Sequence, residues 1–166
     1  MQHTRQQLTL FINEGRELFE SVRARYNPMQ QALIAAHMTL CREDELLLLP
    51  KVVDNIRSLR LQPITVTLGP PERFAEGRGL FLPGVGENAG FHELRRQLLK
   101  GVLSNPRHQH PHITLIHPRN GLCTTAIFEA LKKYTFPAQL RFHRISLIFQ
   151  QGENAWQLQE EFDLLP

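Results

Sequence analysis

At 166 residues, with 42% apolar and 21% charged side chains, the chain has the balance of an ordinary globular domain, without the bias of disordered, collagen-like or coiled-coil sequences. Nineteen Lys and Arg against sixteen Asp and Glu leave a net charge of +3, which suits an anionic ligand but does not demand one. Two cysteines are too few for a disulfide scaffold, and no apolar run approaches the roughly 20 residues of a membrane span.

In chain order, residues 7–12 read as a strand, and residues 14–26 carry Leu18, Phe19 and Val22 on one helical face until Asn27-Pro28 stops them. Residues 31–40 read as a second strand. Residues 43–61 read as a helix with Leu46, Leu49, Val53, Ile56 and Leu59 as its buried stripe, and Pro50 implies a kink or a late start. Residues 64–68 alternate as a strand closed by Gly69-Pro70-Pro71, and residues 78–82 form the next strand before the Pro83-Gly84-Val85-Gly86 turn. A helix over 88–103 ends at Asn105-Pro106. A strand over 111–116, a helix over 124–134, a long strand over 140–150 and a returning strand over 157–164 complete the chain. Both halves thus run strand, helix, strand, helix, strand with no linker between them. The pattern predicts one α+β domain over residues 1–166, built from an internal repeat as two pseudo-symmetric lobes, with antiparallel sheets lining a central groove and helices outside.

One word occurs twice in equivalent slots of the repeat: His37-Met38-Thr39-Leu40 and, seventy-five positions on (112 − 37), His112-Ile113-Thr114-Leu115. Side chains two apart on a strand share a face, so each word offers an imidazole and a hydroxyl to one surface. Cleaving a phosphodiester needs a base for the attacking oxygen, an acid for the departing one, and donors for the non-bridging oxygens. Two histidines and two threonines meet these needs, because an imidazole with a pKa near 6.5 serves in either protonation state. A lone His-x-Thr is weak evidence, since a strand histidine is commonly structural. Its recurrence in the same slot carries the argument.

On these eight positions, with Pro111 ahead of the second word and the element order around both, the chain resembles the 2H phosphoesterase superfamily, the 2'-5' RNA ligase-like proteins. The resemblance implies an enzyme without metal or other cofactor. It would act on a 2',3'-cyclic phosphate or a 2'-5' linked phosphodiester of a nucleotide or RNA, and RNA ligation is a further activity it allows. It also implies catalysis by His37 and His112, with Thr39 and Thr114 on the phosphate, and by analogy His37 as the acid and His112 as the base. Many relatives continue the second word as His-x-Thr-Leu-x-Arg. His117 stands in that arginine slot here, and Arg119 two residues on is the substitute, so both are candidate substrate-binding residues. No leader pattern opens the chain, and a monomeric cytoplasmic protein with no membrane or obligate protein partner is expected.

Other readings compete. His108, His110 and His112 alternate and suggest a zinc site, although no carboxylate lies close in sequence. The same run resembles a histidine-triad hydrolase, but Gln109, Pro111 and Thr114 depart from that signature. His108 and His110 are otherwise expected at the groove's edge. A non-catalytic RNA-end or nucleotide-binding protein would keep the groove and turn nothing over. Cys41 reads as a packing residue and not a nucleophile. Arg95, Arg96 and Lys100 read as the solvated face of their helix, and Arg73 and Arg78 as loop cations within reach of nucleic acid. Trp156 in the C-terminal hairpin is structural or a base-stacking residue. His3, His92 and His143 receive no role.

Overall fold

The computed structural model describes residues 3–165. Among the described residues, nine strands and five α-helices follow in the order β1 (Thr4–Phe11), α1 (Arg16–Tyr26), α2 (Pro28–Leu33), β2 (His37–Cys41), α3 (Leu49–Ser58), β3 (Ile64–Thr67), β4 (Glu72–Phe74), β5 (Gly79–Pro83), α4 (Ala89–Leu98), β6 (His112–Ile116), α5 (Thr125–Leu131), β7 (Gln139–Phe142), β8 (Arg144–Gln151) and β9 (Gln157–Asp163). This is the predicted α+β fold with antiparallel sheets. Seven strands form one sheet in the order β4-β5-β6-β2-β1-β8-β9, and β3 pairs with β7 in a second. The large sheet is itself two halves: β2 and β6, the strands bearing the repeated words, join through the single pair Met38 and Ile113.

The two word-bearing strands are paired alike. Thr9, Leu10 and Phe11 pair with Thr39, Met38 and His37, and Phe81, Leu82 and Pro83 pair with Thr114, Ile113 and His112. The register slips at the same point in both hairpin-like pairs, between Leu8 and Thr9 and between Leu80 and Phe81. Met38, Leu40, Ile113 and Leu115 are buried in one core with Phe19 of α1 and Phe91 of α4. The alternation of a strand therefore turns His37, Thr39, His112 and Thr114 to the opposite face. Each half lends its helix to the other, since α1 packs against β6 and α4 against β2.

Several boundaries differ from the sequence pattern for identifiable reasons. Residues 31–40 are not one strand. Pro28 seeds the first turn of α2, its Gln, Ala and Leu residues are good helix formers, and extended backbone resumes at Ile34. Over 43–61 the late start holds: a 3₁₀ turn at Glu43–Glu45 precedes α3, with Pro50 in its first turn. Strand β4 was not predicted; it reaches β5 through Ala75, Glu76 and Gly77, all at positive φ. The long strand over 140–150 is two strands in different sheets. Leu140 and Phe142 are buried at even positions but Ile145 and Leu147 at odd ones, so an unbroken strand cannot keep all four on one face and the chain turns at His143.

Candidate active site

Counting outward from the Met38–Ile113 pair, antiparallel geometry sets His37 opposite Thr114 and Thr39 opposite His112. The two words thus form a tetrad about a local two-fold axis, with the imidazoles on one diagonal and the hydroxyls on the other. All four residues are partly buried and line one groove of about 440 Å³.

The imidazoles are held alike. Nδ1 of His37 lies 2.8 Å from the Ala35 carbonyl oxygen, and Nδ1 of His112 lies 2.8 Å from that of His110. A carbonyl only accepts, so Nδ1 carries the proton in both rings and leaves Nε2 as the reactive nitrogen. Phe11 and Phe81 meet the His37 and His112 rings edge to face. Burial pushes the His37 pKa down to about 4, against the stabilising Ala35 carbonyl, and the nearby Arg23 and His112 lower it further.

The remaining groove residues come from separate elements. Gln7 on β1 donates from Nε2 to the Thr39 hydroxyl oxygen at 3.2 Å, which orients that hydroxyl and leaves its own proton to donate. Arg23 on α1 is 2% exposed, gives Nη2 to the Ile34 carbonyl at 2.8 Å, and has only a long 3.4 Å contact with Glu20. His117 and Arg119 both line the groove. The Arg119 amide donates to His117 Nδ1 at 3.1 Å, so His117 presents Nε2–H, and burial beside Arg119 lowers its pKa. Buried Asn27 fixes this turn by accepting from the His117 amide at 2.8 Å and donating to Asn120. Arg5, Arg42, Gln109, Trp156 and Gln30 of α2 also line the groove, as do Gln6, Ile34 and the acidic Glu43 and Asp44.

Several expectations need correction. Arg95 is not solvated: it is 3% exposed, forks onto Glu45 at 2.7 and 3.1 Å, and donates to the Leu40 and Arg107 carbonyls. Arg96 and Lys100 are exposed. His108 and His110 leave the groove to Gln109 and gather outside it, with the His108 ring stacked on His92 at 4.5 Å and 4.7 Å from His110. The zinc reading of His108, His110 and His112 finds no support in this placement, and among the described residues no three His, Cys, Asp or Glu side chains are arranged to hold a metal ion. Arg73 is occupied by the Gly77 and Cys123 carbonyls, and neither it nor Arg78 borders the groove. Cys41 is fully buried, its thiol pushed up to about 12 by burial, as a packing role requires. The repeat itself held two signals for the missed arginines. Phe19-x-x-Val22-Arg23 recurs as Phe91-x-x-Leu94-Arg95, seventy-two positions on (91 − 19), and Arg42 occupies in the first word the slot His117 holds in the second.

A family model described as the 2'-5' RNA ligase superfamily matches residues 12–154. Among solved structures, the chain is similar to Escherichia coli LigT in apo form, with 17% identity, 100% of both chains covered and a TM-score of 0.63. The same protein complexed with 3'-AMP gives 20% identity, 98% of this chain and 99% of that one, and a TM-score of 0.63. TT0787 of Thermus thermophilus gives 17% identity, 96% of this chain and 97% of that one, and a TM-score of 0.58. No curated protein matches. The structural likenesses establish the shared fold.

Proposed function

The chain belongs to the 2'-5' RNA ligase superfamily of 2H phosphoesterases, and from that membership we propose that it hydrolyses nucleotide or RNA phosphodiesters, opening a 2',3'-cyclic phosphate or cleaving a 2'-5' linkage, with His37 and His112 as its acid–base pair. The observation that carries this reading is the tetrad: two Nε2 atoms on one diagonal and two hydroxyls on the other, on a single groove floor. The 3'-AMP bound by the similar E. coli protein supports a nucleotide as the ligand class.

The environment of the His37 ring favours a role opposite to the one expected by analogy. A buried imidazole beside the Arg23 guanidinium stays neutral, which suits a base. His37 Nε2 takes a proton from water as its oxygen attacks phosphorus. The bond from phosphorus to the ribose oxygen breaks, and that oxygen receives a proton from Nε2 of protonated His112. Thr39, oriented by Gln7, and Thr114 donate to the non-bridging oxygens, where charge builds in the transition state.

The test is hydrolysis of 2',3'-cyclic nucleotides, of cyclic-phosphate-ended RNA and of 2'-5' linked oligonucleotides in excess EDTA. His37→Ala and His112→Ala are each expected to lower kcat by about 10²- to 10⁴-fold while the cyclic nucleotide still binds. Binding without turnover by the unmodified protein supports a nucleotide-binding role instead, and turnover lost to EDTA alone supports a metal-dependent reaction.

A further inference from the structure

The wall of the groove on the β1 side is built around Trp156, which the tetrad chemistry does not use. Its indole is partly buried and lines the groove, yet it is absent from the apolar side chains packed against the core. A large aromatic surface that stabilises no core is placed there for something else. One face of the ring carries a cation that itself borders the groove. The Arg5 guanidinium lies 5.4 Å from its centroid, within cation–π range, and donates to the side-chain oxygen of Gln150. Gln150 is 2% exposed and donates to the Asn154 carbonyl at 2.7 Å, closing the β8–β9 turn, while the Trp156 amide donates to the Leu33 carbonyl at 2.9 Å. The indole is thus fixed before any ligand arrives, and little ordering entropy is lost when one does.

The geometry points to Trp156 as a stacking platform for the nucleobase of a nucleotide whose phosphate lies on the His37–His112 tetrad. An aromatic face beside cations that hold phosphate is the arrangement by which single-stranded nucleotides are bound, and stacking needs no particular base, because every base has a π-face. The inference rests on the phosphodiesterase reading for where the phosphate sits. It adds which side chain receives the base, and that any base serves.

Trp156 is the only tryptophan of the chain, so intrinsic fluorescence reports on this ring alone. The full chain carrying His37→Ala, which holds the probe without turning it over, is titrated with adenosine 2',3'-cyclic phosphate and with the methyl riboside 2,3-cyclic phosphate that lacks a base. Saturable quenching by the adenosine probe and none by the base-free probe, at occupancies measured by calorimetry, is the expected result. Equal responses, or calorimetric binding of the adenosine probe without quenching, overturn the platform. Trp156→Leu should weaken the adenosine probe by about 5- to 150-fold and Trp156→Phe by only a few-fold, as loss and retention of one stacking face predict. Leu and wild-type affinities that agree overturn it as well. Quenching in the titration combined with no hydrolysis of any substrate by the unmodified protein keeps the platform and overturns the hydrolytic reading, so the two failures are distinct.

Discussion

His37 shows how one side chain ties stability to chemistry. Its pKa falls from an ordinary 6.5 to about 4 because burial penalises the imidazolium and Arg23 repels it. Between those pH values the unfolded chain binds the proton and the native one does not, so stability rises with pH across that interval and is lost as pH falls through it. The difference amounts to about 3 kcal/mol. His37→Gln should remove this share of the pH dependence in urea melts between pH 4 and 7. On the proposed mechanism, with His37 as the base, a ring held neutral this far down puts the acidic limb of kcat/KM near pH 4, and Arg23→Met, by removing a cation, should move that limb to higher pH. A limb that stays near 6.5 in both proteins assigns the base to another group. The words around His37 and His112 were legible because a pattern written twice in the same slot stands out from a pattern written once. Gln7 was not legible, because it reaches the groove from a strand whose neighbour is decided only when the sheet assembles; Arg23 was marked only by the recurring Phe-x-x-apolar-Arg pattern, and Trp156 stood open between a structural and a stacking role.

At the level of elements, two joints position the second word. Gly84 follows β5, and its amide donates to the Pro111 carbonyl, immediately before His112. A Cβ at Gly84 would lie 2.6 Å from the Pro111 ring and 2.9 Å from its carbonyl oxygen, so Gly84→Ala forces this backbone to move. The expected cost is about 1–3 kcal/mol, with a fall in kcat of about tenfold or more that thermal melts and steady-state kinetics read together. The second joint is Arg95, which ties α4 to the end of β2 and to the loop before β6. Arg95→Met leaves the Glu45 carboxylate buried without its cation, a loss of about 3–5 kcal/mol in urea unfolding, and Arg95→Met with Glu45→Leu should regain most of it. Sequence periodicity placed Arg95 on a polar helix face, since an arginine that caps strand carbonyls reads like one that meets water. The break at His143 was more accessible: the switch of buried positions from even to odd is written in the residues, but becomes decisive only once two sheets exist for the strands to join.

For the molecule as a whole, a seam of one ladder pair between β2 and β6 suggests two halves that separate easily. The exchange of helices opposes this, because α1 cannot leave β6, nor α4 leave β2, without opening the core common to both halves. The β3–β7 pair adds a second cross-link, as β3 follows the first word and β7 the second. Unfolding is therefore expected as one transition, with Trp156 fluorescence and far-ultraviolet circular dichroism coincident along a urea gradient; two separated midpoints would show that the halves melt independently. The two-fold axis through the tetrad has one more consequence. By residue type alone, a phosphodiester entering head first or tail first meets the same four groups, and in the proposed reaction it is their surroundings, beginning with Arg23 near His37 and Gln7 on Thr39, that decide which ester oxygen leaves. Direction is supplied by whatever breaks the palindrome. Here Arg42 occupies the slot at one end and His117 that at the other, with Trp156 and Arg5 on one flank only. In the proposed reaction, whether the product bears its phosphate on the 2' or the 3' oxygen is thereby a property of those surroundings, and two proteins with identical tetrads are free to leave opposite isomers.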